Sequence, residues 1–284
     1  MIPKTLKRLA AGTACLVGLA PLGLAQWTTE TVPNPRTAIA MTATDNGKVL
    51  IAGGSPGGGV FATGDLDVFD EATGTWTSTV LPKPIRFHSA ASVGTSAFFG
   101  CGLEDSSGIP NGEVYEFDTV TGVVTTHLIT NGRWNGAMGA VGQYLCVVAG
   151  LDAGGGAVTE VNVYDTVAKT WSQLALTHAV QDPGVTAVGG RLLVVGGKDT
   201  GTLPTNHVQW IDPAAGTTGL EAALPEAVDR PGCATLGPKA FFGGGLVLAG
   251  AGIDSTNQLV TYDDRPGTQT AAALPVKYDG GEAL

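Results

Sequence analysis

Ile51-Ala52-Gly53-Gly54, then Phe69-Asp70, Gly74 and Thr75-Trp76-Thr77, decide the fold. An apolar run closes on a Gly pair. An aromatic residue then precedes an Asp, a Gly follows four residues later, and a Trp stands six beyond the Asp. The order returns along the chain. The pair before the turn recurs as Phe117-Asp118, Tyr164-Asp165, Ile211-Asp212 and Tyr262-Asp263, with Asp spacings of 48, 47, 47 and 51. The Gly-closed run recurs as Phe98-Phe99-Gly100-Cys101-Gly102, Val147-Val148-Ala149-Gly150, Val194-Val195-Gly196-Gly197 and Phe241-Phe242-Gly243-Gly244. The position six beyond each Asp holds Trp76, Val124, Trp171, Thr218 and Gln269, and Trp27, 49 residues before Trp76, joins the series. A unit of this length buries its apolar face only against its neighbours.

Each unit reads as four short strands. A small-residue run such as His88-Ser89-Ala90-Ala91-Ser92-Val93 comes first, the run ending in Gly second, the strand ending at the Asp third, and the Trp strand fourth. The turn between the last two has a physical cause. Asp caps the backbone ahead of it, and Gly74, Gly122, Gly216 and Gly267 supply a left-handed residue, with Lys169 as the exception. No helical period appears beyond the first residues. Together, the Gly pairs, the aromatic-Asp, the Trp six residues on and the Arg opening the next unit resemble the kelch-repeat β-propeller family, in its secreted bacterial form, over residues 27–284. The resemblance implies an all-β propeller of four-stranded blades. It also implies Gly pairs that let blades pack closely and Trp side chains that fill the space between them.

Units begin near Arg36, Arg86, Arg133, Asp182, Arg230 and Lys277. Five complete blades are expected near residues 36–80, 86–127, 133–174, 182–218 and 230–270. Residues 27–31 and 277–284 are expected to form an incomplete sixth blade, as in a chain truncated relative to a six-bladed parent. Before them, Lys4, Lys7 and Arg8, then the apolar stretch Leu9 to Leu24, then Gly23-Leu24-Ala25, read as a signal peptide over residues 1–25, with residues 26–284 as the propeller domain. A secreted or periplasmic protein follows.

Of the 284 residues, 43 are Gly and 14% are charged, which suits a folded, turn-rich chain. Its 15 basic and 25 acidic residues give −10; loss of the three basic residues in the first 25 takes this to −13. Such a surface disfavours nucleic acid and anionic membrane as partners. Cys101, Cys146 and Cys233 each sit in an apolar run and read as buried small hydrophobes. His88, His127, His178 and His207 fall at different repeat positions, so no metal or cofactor is expected. No GxSxG, HExxH or P-loop occurs.

One constellation suggests a site. Basic residues open the units (Arg36, Arg86, Arg133, Arg230 and Lys277), and acids follow the Gly pairs (Glu104, Asp105, Asp152, Asp199 and Asp254). Phe87, His88, Trp134 and Tyr278 accompany the basic residues. Strand topology gathers both sets on one face, at a channel mouth, where Arg grips carboxylates and the aromatics stack. The competing reading makes the acids loop formers and the Arg their structural partners. With nothing catalytic clustered, a recognition module for protein or glycan is expected. A carbohydrate-active enzyme of the same propeller class, such as a sugar mutarotase or epimerase, is the alternative.

Overall fold

The computed structural model describes residues 29–278 apart from 251 and 266, and the account below concerns the compact unit that starts at Val32. Trp27, the first 25 residues and residues 279–284 lie outside the described residues.

Every element described is a strand. Blade 1 comprises β1 (Ala40–Thr44), β2 (Lys48–Ala52), β3 (Thr63–Asp70) and β4 (Thr75–Ile85). Blade 2 comprises β5 (Ser89–Val93), β6 (Ser96–Gly100), β7 (Glu113–Asp118) and β8 (Val124–Leu128). Blade 3 holds β9 (Ala137–Val141), β10 (Tyr144–Val148), β11 (Val158–Asp165) and β12 (Thr170–Val180). Blade 4 holds β13 (Gly184–Val188), β14 (Arg191–Val195), β15 (Val208–Asp212) and β16 (Thr217–Leu220). Blade 5 holds β17 (Gly232–Leu236), β18 (Lys239–Gly243), β19 (Leu246–Ala249), β20 (Gly252–Asp263) and β21 (Thr268–Tyr278). Each blade is an antiparallel meander, and in blade 5 the short β19 folds back on the start of β20. The expected strand order and the five expected blades are those observed.

The first strands pack in series: β1 on β5, β5 on β9, β9 on β13 and β13 on β17. The core is accordingly a set of wedges between blades. Leu50, Leu66 and Ile85 of blade 1 meet Phe99 and Tyr115 of blade 2; Phe98 and Val114 meet Leu145 and Tyr164; Cys146 and Val163 meet Leu192 and Ile211; Leu193 and Val195 meet Phe242 and Tyr262. Cys101, Cys146 and Cys233 are buried, as expected, all three are free thiols, and burial pushes the Cys146 and Cys233 pKa up to about 12.

The Gly pairs lie where backbone approaches closely. A Cβ on Gly53 would lie 2.4 Å from the Ile85 carbonyl oxygen, at the junction with the next unit, and Gly53 and Gly54 take φ of 59° and 93°. In blade 5 the left-handed pair is Gly244-Gly245, not Gly243-Gly244, because Gly243 still pairs with Gly232 at the end of β18. The turns follow the expected chemistry, with Asp70, Asp118, Asp165, Asp212 and Asp263 each accepting a backbone N–H ahead of it. Lys169 adopts the left-handed φ of 58° that Gly supplies elsewhere. Trp76 packs on Phe69 at 5.1 Å, and Trp171 stacks on Tyr164 at 4.8 Å within the wedge between blades 2 and 3.

Two placements differ from the reading by motif. Lys277 and Tyr278 are the last residues of β21, where Tyr278 pairs with Thr256, so they do not open a new first strand. The blades also alternate. Odd-numbered blades carry an eleven-residue fourth strand with a register jump, at Thr63/Asp65, Val158/Glu160 and Thr256/Gln258. Even-numbered blades have short, unbroken fourth strands.

Candidate functional site

Isolated bridges set the register where the chain approaches each first strand. Thr37 pairs with Ser55, Arg86 with Leu103, Trp134 with Leu151, Gln181 with Lys198 and Asp229 with Leu246. The next residue in every unit is left-handed: Ala38, Phe87, Asn135, Asp182 and Arg230, with φ from 51° to 55°. The Asn135 N–H donates to the Phe87 carbonyl at 3.3 Å, and the Asp182 N–H to the Asn135 carbonyl at 2.8 Å, so these residues tie blade to blade.

On this register the four Arg do not form one ring, which corrects the sequence reading. Arg36 and Arg133 precede the bridge residue, Arg86 is the bridge residue, and Arg230 follows it. Arg36 is buried. Its Nε donates to the Gly53 carbonyl at 2.6 Å, Nη2 to the Ile51 carbonyl at 2.8 Å, and Nη1 to Asp67 at 2.5 Å. Burial works to raise the Asp67 pKa, but hydrogen bonds from Ser78, Arg36 and Asn34 outweigh it and hold the carboxyl below its usual value. Arg133 is equally buried, donating to the Val147 carbonyl and to Asn162. Both side chains are only 1% exposed. His88 is buried as well, and desolvation pushes its pKa down to about 4.

The acids are loop formers. Asp105 accepts the Ser107 N–H at 2.8 Å, Asp152 those of Gly154 and Gly156, and Asp199 those of Gly201 and Leu203. Asp254 occupies another kind of position, in the β19–β20 hairpin opposite Val247. Propensity explains these acids.

The remaining residues form two clusters, one aromatic and one ionic. The Arg86 guanidinium lies 3.9 Å from the Phe87 ring and 4.3 Å from the Phe61 ring, and its Nη1 donates to the Phe61 carbonyl. Trp134 stands 6.1 Å from Phe87, whose side chain is 37% exposed. Toward blade 5 the chemistry turns ionic. Lys198 bridges Asp229 at 3.1 Å and Asp182 at 3.5 Å, and Arg230 Nε reaches Asp229 at 3.3 Å. Burial raises the Asp182 pKa against the pull of Lys198. Phe61, Lys198 and Asp229 carry no repeated motif, so spacing alone did not single them out. Among the described residues, no group of three or more His, Cys, Asp or Glu is placed to hold a metal ion, and no helix is long and apolar enough to cross a membrane.

No family model matches the sequence, and no curated protein matches it. Among solved structures, that of YjhT is similar, with a TM-score of 0.68 and 14% identity over 88% of each chain. At that identity the likeness establishes the fold, a β-propeller.

Proposed function

We propose that the protein is an exported, non-catalytic recognition module that takes a protein or glycan ligand at the channel mouth, on Phe87, Trp134 and Arg86. The observation that carries this reading is Phe87. A bulky side chain in left-handed backbone costs roughly 1–2 kcal/mol, and here it stands exposed on a guanidinium beside a Trp. The left-handed backbone recurs at this position in every unit, so the support for a ligand contact comes from the exposed aromatic pair and its cation. Phe and Trp offer stacking faces for a sugar ring or an apolar side chain, and Arg86 adds a fixed positive charge.

Glycan and peptide arrays test this. A ligand bound by the wild-type protein should be lost in the double variant Phe87→Ala/Trp134→Ala with the unfolding midpoint retained. Undiminished array binding by that variant would place the site elsewhere.

The carbohydrate-active alternative rests on a different observation, the pair Asp182 and Asp229 bridged by Lys198. Two carboxyls held in unlike environments suit acid–base work. Turnover of a free sugar, abolished by Asp182→Asn, would establish it; an inert wild-type protein across anomeric and hydrolytic assays would remove it.

A further inference from the structure

Blades 1 and 3 answer the same buried guanidinium in opposite ways. Arg36 and Arg133 share one register. Beneath Arg36 lies Asp67, paired across the strands with Ser78; at the matching place beneath Arg133 lies Asn162, paired with Gln173. In blade 1 Asn34, Ser78 and Arg36 all donate to Asp67. In blade 3 Asn162 replaces the inner carboxylate and the outer one remains, Glu160, at the place that Asp65 holds in blade 1. Arg133, with its side chain 1% exposed, keeps Nε and Nη1 buried without a hydrogen-bond partner, and Glu160 stands 3.9 Å from Nη1.

Glu160 sits where β11 and β12 jump register, from Val158 opposite Val180 to Glu160 opposite Ala175. Beside the jump lies an open groove of about 600 Å³, lined by apolar side chains such as Val158 and Leu174 as well as by the polar Asn131, Thr159, Glu160 and Gln173. Both carboxylate oxygens are held there, one by the Asn131 side-chain amide and one by that of Gln173, each at 3.0 Å. Each amide spends one N–H on Glu160, leaving its carbonyl oxygen and second N–H for another partner.

We propose that this groove is a second binding site, for a neutral, hydroxyl-rich ligand: a glycan chain. Its volume falls in the range of small-ligand sites, roughly 300–1,000 Å³. The buried Arg133 charge offsets Glu160, so a charged ligand would leave one charge uncompensated. Hydroxyls donate and accept, as the carboxylate and the two amides together require. The Glu160 carboxylate, oriented from behind and from both sides, is a fixed acceptor for a sugar hydroxyl. Arg133 is a positioning residue that holds Glu160 without touching the ligand. The mouth and its aromatics play no part, so this inference does not depend on the reading given above.

The purified protein titrated with neutral tetrasaccharides of β-1,4-glucose, α-1,4-glucose, β-1,4-mannose and β-1,4-N-acetylglucosamine, followed by calorimetry, tests the site. At least one should bind. Glu160→Gln and Gln173→Ala should each weaken it about tenfold or more, the loss expected for a hydrogen bond to a charged group. Thermal midpoints confirm the fold of each variant. Absence of binding by all four sugars, or wild-type affinity in both groove variants, would each overturn the proposal.

Discussion

Arg36 and Arg133 show how far a side chain's role depends on register. Their recurrence was legible in the sequence, but spacing could not distinguish a residue one place before the bridge from one on it or one after. That single step decides whether a guanidinium turns into the blade, as Arg36 and Arg133 do, or stays at the mouth, as Arg86 and Arg230 do. A matched exchange tests the burial. Asp67→Asn should destabilise by about 3 kcal/mol or more, since it strips the counter-charge from a buried guanidinium. Asn162→Asp should also destabilise, since Glu160 already offsets Arg133 and a second buried carboxylate is left without a counter-charge, and urea midpoints read both. His88 adds a pH dependence. Its folded pKa of about 4 lies below the ordinary 6.5, so as pH falls through that window the unfolded chain takes up a proton that the folded imidazole refuses. Stability contributed by neutral His88 is therefore present above pH 6.5 and lost progressively down to about 4. At about 1.4 kcal/mol per pKa unit the loss amounts to about 3 kcal/mol. His88→Gln should flatten the stability curve over this interval. Equal slopes for variant and wild type would show that another group titrates there.

Among the elements, the strands and turns were the most legible, because alternation, Gly pairs and Asp turns are local physics. Where three Gly run together, composition could not say which two turn left-handed, and pairing to β17 decided it for Gly244-Gly245. The alternation of long, bulged fourth strands with short ones was not read either. The motifs mark the start of the fourth strand, whereas the register jump lies at its far end, where no repeated residue flags it. The turn after β11 gives a clean test of backbone strain. Lys169 holds a φ of 58° where Gly74 of blade 1 takes 65°, and a Cβ on Gly74 would meet nothing within 4 Å, while the exposed Lys169 ammonium lies 3.8 Å from Glu116 and 5.9 Å from the Tyr164 ring centroid. Lys169→Gly should relieve left-handed strain and yield a net gain of up to about 1 kcal/mol after the entropy of the freer unfolded chain. Gly74→Lys should lose about 1 kcal/mol. Matching signs for both variants in chemical denaturation would refute a strain origin.

For the whole molecule, stability resides in the wedges between blades, and these are not equal. Blade 3 is covered on both faces, by Phe98 and Val114 on one side and Leu192 and Ile211 on the other. Blade 5 has a wedge only toward blade 4 among the described residues. Among the described residues no packing like that of the other first strands joins β17 to β1, and the last three residues of β17, Ala234-Thr235-Leu236, are exposed, with Leu236 at 75%. The repeat spacing revealed five units, but whether neighbouring first strands meet at this seam depends on long-range geometry that no local pattern encodes. In a repeat architecture each unit draws its stability from its neighbours, so a blade with one bare face opens before a blade with none. Native-state hydrogen exchange should show it. Amides paired between β17 and β18 should exchange at least about tenfold faster than those paired between β9 and β10, through opening events short of global unfolding. The rates should converge as denaturant brings global unfolding within reach. If the two sheets instead share one protection factor in water, the seam is covered and the blades open as a single cooperative unit.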